Sequence, residues 1–284
     1  MKIFSPEVLT YLLVSFGFSW AVAAGLYFLP DADPVLRTGV MFLYMCGPAV
    51  GALFCIWRFA AGRRAESLGL VMPRWLWLPV AWVIGMLFVV GAGVLTYGLS
   101  DITFQDPSIA AMAIAEEAGQ PAVPVPAWLL WGSAIFLGPL INIPFMLSEE
   151  LGWRGWLYDQ WKGFGFWKLS VLTGLVWGLW HIPIVAMGHN YPDMPIWGPV
   201  IFTGFCILAG PIYTFIRQKT ASIWGPCLLH GTMNGAAGVF VMAQSDMDFP
   251  WTGLVGIGGF IMLAASVVLL AVFSLDKKAV TSPT

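Results

Sequence analysis

In the stretch SEELGWRGWLYDQW, Ser148 to Trp161, two adjacent carboxylates and a guanidinium (Glu149, Glu150 and Arg154) close a run of apolar residues. Further on, His181 sits inside GLVWGLWHIPI, and His230 is followed four residues later by Asn234 within HGTMNGAAG. On a helix of 3.6 residues per turn, Glu150 and Arg154 share a face and can form an ion pair. Glu149 points about 100° away and has no partner at that spacing. One carboxylate therefore reads as structural and the other as free, and a free carboxylate in a water-poor pocket is a candidate general base. His230 and Asn234 are one turn apart on one face. Together, a Glu, two His and an Asn supply a base, a second base or electrophile, and donors for an oxyanion.

Each feature alone has an ordinary reading. Two glutamates with an arginine four residues on end many solvated helices, and a lone histidine in an aromatic helix is most often an interhelical hydrogen bonder. Their chemical reading comes from the company they keep. The chain has 284 residues, 59% hydrophobic and only 10% charged, with 16 tryptophans and 20 phenylalanines, where a soluble domain is about a quarter charged. A bilayer core about 30 Å thick takes up that much apolar surface as helices of about 20 residues. Ionisable groups inside such spans are costly and mark function by default.

Windows of predominantly apolar sequence predict eight spans: Val8 to Leu29, Thr38 to Trp57, Trp75 to Leu95, Ala127 to Leu147, Leu169 to Met187, Ile196 to Ile216, Ile223 to Met242 and Trp251 to Phe273. Backbone groups in hydrocarbon must be satisfied within the segment, so the expected fold is all-α and polytopic, in a single transmembrane domain. With the N-terminus inside, Lys2, Arg58, Arg63, Arg64, Arg74, Arg154, Lys162, Lys168, Arg217, Lys219, Lys277 and Lys278 fall on one side and Arg37 alone on the other. The opposite connections hold Asp31, Asp33, Asp101, Asp106, Glu116, Glu117, Asp193, Asp246 and Asp248. The distribution of basic residues predicts that both termini are cytoplasmic. On this reading the polar cavity opens to the cytoplasmic side.

The first apolar run continues through Leu26, Phe28 and Leu29, which favours a span over a cleaved leader. Cys46, Cys55, Cys206 and Cys227 all lie in apolar runs without a C-x-x-C pair, and read as small buried hydrophobes. In the long connection Tyr97 to Pro126, DPSIAAMAIAEEAG has Asp106 as a cap and Pro107 in the first turn. It fits either a short amphipathic helix on the membrane surface or an ordered loop.

EELGWRGWL (Glu149 to Leu157), WGLWH (Trp177 to His181) and HGTMN (His230 to Asn234) resemble, in order and spacing, the three motifs of the CAAX protease and bacteriocin-processing family of intramembrane endopeptidases: E-E-x-x-x-R, F-x-x-x-H and H-x-x-x-N/D. The similarity covers roughly Ala127 to Val241 and departs at Trp177, where the second motif usually has Phe. It implies an eight-helix protease in which Glu149 and His181 activate the attacking water. His230 and Asn234 would stabilise the oxyanion, with Glu150 and Arg154 orienting the motif. No cofactor is expected. Zinc is the alternative, since two histidines and a glutamate make a ligand set with an open position, although no H-E-x-x-H is present. A Cys227–His230 dyad is a further alternative within catalysis. A membrane transporter, or an inactive binding or immunity factor on the same fold, is the alternative outside it. The expected partners are the bilayer and a membrane-associated or lipidated peptide or protein, with no nucleic acid. The expected location is a bacterial plasma membrane.

Overall fold

A chain this apolar can satisfy its backbone in hydrocarbon only by folding into helices, and among the described residues the sole β pairing is an isolated bridge between Phe104 and Gln244. The computed structural model describes residues 2–29, 33–59, 64–117, 119–245, 249–251 and 253–280. Asp31, Arg63, Asp246 and Asp248, which entered the charge count, lie outside these. Helix α1 (Pro6–Tyr27) starts at Ser5, whose hydroxyl accepts from Val8 N, and α2 (Pro34–Met45) starts at Asp33, whose carboxylate accepts from Leu36 N. Each cap is followed by a proline in the first turn, where its missing N–H costs nothing. Helix α3 (Gly47–Phe59) continues α2, and α4 (Arg64–Ser67) is a single turn. Then come α5 (Trp77–Leu99) and α6 (Pro107–Glu117). The segment read as a helix or a loop is thus a helix, with Asp106 Oδ1 accepting from Ser108 N at 2.9 Å.

The next run holds α7 (Ala127–Gly132), a π-type turn, α8 (Gly138–Glu150), a second π-type stretch over Leu151–Trp156, and α9 (Leu157–Trp161). Helices α10 (Phe166–Trp180) and α11 (Ile182–Ala186) follow, then α12 (Trp197–Thr220), α13 (Trp224–Met242) and α14 (Ile257–Val280).

Among the described residues, five helices are long and apolar enough to cross a membrane: Pro6–Tyr27, Val35–Phe59, Trp77–Leu99, Ala127–Phe164 and Trp197–Thr220. Each matches an expected span, and Ile257–Phe273 is a shorter apolar helix at the place of the last. The two remaining expected spans are those that carry His181, His230 and Asn234. They fall short because of what they carry. Helix α10 stops at His181, two residues before Pro183, and α13 spends its turns on His230, Thr232, Asn234 and glycines.

The helix ends gather on two faces. On one, Arg74 N donates to Thr220 O (2.9 Å), Ile223 N to Gly69 O (3.1 Å) and Trp161 Nε1 to Ile3 O (3.0 Å). On the other, Gln105 N donates to Ala243 O (2.9 Å) and the Tyr191 hydroxyl to Val255 O (2.7 Å). Arg74, Lys162, Lys168, Arg217 and Lys219 are on or beside the first face, hereafter the basic face.

Close approach of α8 and α13 fixes the site's geometry. A Cβ on Gly235 would lie 2.5 Å from Gly138 C, and one on Gly231 would lie 2.6 Å from Pro139 O. Small residues let two backbones meet in this way, so that the side chains beside them are held at short range. Gly235→Val should therefore lower stability by about 1–3 kcal/mol through overpacking, read as a drop in the melting temperature in detergent. Gly238→Ala, where a Cβ meets nothing within 4 Å, should be near neutral.

Candidate functional site

Helix α8 ends in Glu149 and Glu150, and both side chains are buried, at 3% and 0% exposure. The expected ion pair forms: Arg154 Nη1 donates to Glu150 Oε1 at 3.1 Å and Oε2 at 3.3 Å. The guanidinium carbon lies 4.2 Å from the centre of the Tyr213 ring and 4.8 Å from that of Trp177, so a desolvated cation is bounded by π faces. Glu150 does more than the spacing implied. Its Oε1 also accepts from His230 Nδ1 at 3.0 Å, across 80 residues of sequence.

Glu149, read as partnerless, has two indole donors. Trp177 Nε1 donates to its Oε2 at 2.9 Å, and Trp153 Nε1 donates to the same oxygen at 3.4 Å. Oε1 has no hydrogen-bond partner among the described residues.

The chain breaks at His181 because Pro183 cannot continue the helical hydrogen-bond ladder. The Trp180 carbonyl accepts instead from Trp20 Nε1, at 3.1 Å, and from the Tyr44 hydroxyl. At the break His181 Nδ1 donates to the Trp177 carbonyl at 2.8 Å. In both histidines Nδ1–H is thus committed, and Nε2 is the nitrogen left over. Asn234, one turn beyond His230, donates through Nδ2 to Met146 Sδ at 3.2 Å.

Glu149, His181, His230 and Asn234 all line one cavity of about 600 Å³. The fold thus brings these four residues, from three separate helical segments, to one cavity. Glu150 and Arg154 do not line it. They lie beneath its floor, where Arg217 Nε donates to Arg154 O at 2.9 Å and the Arg217 guanidinium packs over Tyr158 at 4.5 Å. Above the floor the walls are mainly apolar, including Met41, Met45, Ile184, Phe202, Met233 and Leu254.

Here the structure corrects the sequence reading. The cavity was expected to open on the side of the basic residues, yet its lining contains no residue from the basic-face connections. It runs instead to His189, Asn190, Pro192, Asp193 and Phe249, all exposed and on the opposite face. The physical reason is the plug of Arg154, Glu150, Arg217 and their aromatic partners, which fills the space between cluster and basic face.

Cys55, Cys206 and Cys227 are fully buried and no cysteine is disulfide-bonded. Cys227 does not reach the cavity lining, so the Cys227–His230 dyad has no substrate-facing nucleophile. Zinc would need its ligands gathered, and among the described residues no three His, Cys, Asp or Glu side chains are grouped to hold a metal ion. No step below is routed through a metal ion.

Sequence reasoning missed Trp153, Trp177 and Tyr213. The spacing of four between Glu149 and Trp153 was a usable signal for the first. Nothing in the order of residues brings Trp177 or Tyr213 to the glutamates, since those contacts cross between helices.

An all-helical membrane fold with a buried carboxylate, histidine and amide cluster at the floor of an apolar cavity defines a polytopic membrane protein built around a polar intramembrane site. Residues 124–236 match the family model for Rce1-like type II CAAX prenyl endopeptidases. All three motifs fall within that stretch, so the resemblance drawn from them holds. The chain is also 28% identical over 136 residues to CAAX prenyl protease 2 of Methanococcus maripaludis, a match covering 46% of this chain and 46% of that relative. The matched region therefore spans about half the length of the curated relative.

Removing one partner of a buried ion pair strands the other charge. Arg154→Ala should cost about 3–5 kcal/mol, seen as a large fall in detergent melting temperature or in folded yield. Glu150→Gln should in addition change the tautomer population of His230, measurable by ¹⁵N chemical shifts of its ring nitrogens.

Proposed function

We propose that this chain is an intramembrane endopeptidase that hydrolyses a peptide bond in a membrane-associated or lipidated substrate. The observation carrying this reading is that Glu149, His181, His230 and Asn234, and no other described Glu, line the floor of one apolar cavity. The matched family and the relative's name support it.

In this reading Glu149, with Oε1 free, takes a proton from the attacking water while His181 Nε2, a lone pair once Nδ1–H is committed to Trp177 O, holds that water. The tetrahedral oxyanion is met by the Asn234 amide and by His230. With its Nδ1–H on Glu150, His230 can donate from Nε2 only as the doubly protonated ring, whose charge rests against the Glu150 carboxylate. The apolar walls fit an apolar peptide end or a lipid chain more readily than a polar peptide. The distribution of Lys and Arg supports a cytoplasmic basic face with both termini inside. Since the cavity opens on the other face, substrate then enters from the non-cytoplasmic side, which replaces the cytoplasmic entry expected from sequence.

Cleavage of a fluorescent peptide ending in a farnesylated Cys-a-a-X sequence, and of its unlipidated counterpart, should be measured in detergent. Glu149→Gln keeps shape but cannot take the proton, and turnover should fall by about 10²- to 10⁴-fold. Asn234→Ala should leave KM nearly unchanged and lower kcat by about 10²- to 10³-fold. Exhaustive chelation should leave the wild-type rate intact. Loss of activity that zinc alone restores would make the two Nε2 atoms metal ligands and end the oxyanion role of His230.

Orientation has its own test. A cysteine at Asp193, beside the cavity mouth, should be labelled by an impermeant maleimide only from outside intact cells, and one at Gly163 only after the cytoplasmic side is exposed. The reverse pattern would invert the topology and return the cavity to the cytoplasm.

A further inference from the structure

The E-E-x-x-x-R, F-x-x-x-H and H-x-x-x-N/D pattern places Phe where this chain has Trp177, and in sequence that exchange leaves the neighbouring histidine untouched. The structure shows that its consequence falls on a different residue. Trp177 is 3% exposed, and its indole N–H, which phenylalanine lacks, points at Glu149 Oε2 at 2.9 Å across 28 residues of sequence. The second indole on that oxygen, Trp153, is at 3.4 Å, a long and weaker contact by the usual geometry. Both donors converge on Oε2, leaving Oε1 for the cavity. Trp177 also touches the rest of the cluster. Its carbonyl takes His181 Nδ1–H (2.8 Å), its ring centre lies 5.2 Å from that of His230, and its face is covered by the Arg154 guanidinium at 4.8 Å.

We propose that Trp177 is a positioning residue for Glu149: its indole N–H pins one carboxylate oxygen, so that the other is presented to the substrate-side water in a single orientation. This rests on the reading of Glu149 as the general base. The carbonyl and ring contacts would survive in a phenylalanine, which shares the backbone and has an aromatic face. Only the hydrogen bond to the carboxylate is particular to tryptophan. A donor to a charged acceptor is among the stronger protein hydrogen bonds. Its loss frees the carboxylate to rotate between the cavity and the Trp153 side.

The test uses the full chain in detergent with the farnesylated Cys-a-a-X peptide as probe, measuring kcat, KM and melting temperature. Trp177→Phe should lower kcat about 10- to 100-fold, the loss of one hydrogen bond to a charged group, with KM changed less than twofold. Replacing Trp177 by benzothienylalanine, which keeps the indole's shape and has sulfur in place of N–H, should reproduce that fall at unchanged melting temperature. If Trp177→Phe does not fold, this analogue decides alone. Wild-type kcat in the benzothienylalanine protein, with Glu149→Gln inactive, would overturn the positioning role and leave the base assignment standing. Full activity in Glu149→Gln would overturn the base assignment and the positioning role together.

Discussion

One carboxylate holds the polar interior together. Glu150 is fully buried, and its Oε1 faces both Arg154 Nη1 and His230 Nδ1. A charge at that depth survives only if it is paired and hydrogen-bonded, and the pairing here comes from two directions: one turn down its own helix, and across to α13. The register of α8 against α13 is therefore set twice, by a charge shared across the interface and by glycine backbones that meet where a Cβ would not fit. Glu149, adjacent in sequence but rotated away, inherits its place from this anchoring. So does Asn234, one turn from the histidine that Glu150 holds.

The part of this arrangement legible in the sequence is the part that repeats along a helix. The Glu150–Arg154 pair and the shared face of His230 and Asn234 follow from a spacing of four. The expected spans follow from hydropathy, and five of them correspond to helices long and apolar enough to cross. The helix that ends at His181 is cut short ahead of Pro183, and the helix that carries His230 gives its positions to polar groups and glycines. What sequence could not show are contacts between helices: the Trp177 indole on Glu149, the tyrosine face on Arg154, and the hydrogen bond from His230 to Glu150. The direction of the cavity was misread for the same reason. Charge counting places loops on one side or the other, but it is silent about which side the packed side chains obstruct.

The aromatic content has a local role as well as a lipid-facing one. Trp153 and Trp177 are buried and spend their N–H groups on a carboxylate, while Trp177 and Tyr213 lend their faces to a guanidinium. These large, stiff side chains satisfy polar groups without bringing water with them, which suits a cluster that must stay charged inside a hydrocarbon layer. Tryptophan and phenylalanine at position 177 are alike in volume class, but only one of them has a proton to give.

The plug beneath the cavity has a consequence for the cell that holds this protein. A pocket wet enough to supply a water molecule, sunk into a bilayer, thins the dielectric barrier at that spot. Below it Glu150, Arg154 and Arg217 are packed to 8% exposure or less among aromatic rings. The Glu150 carboxylate offsets the Arg154 guanidinium, so the layer carries the Arg217 charge in excess and disfavours a further cation beside it. On the side of the basic face the hollow thus ends in packed side chains and not in a through-going channel.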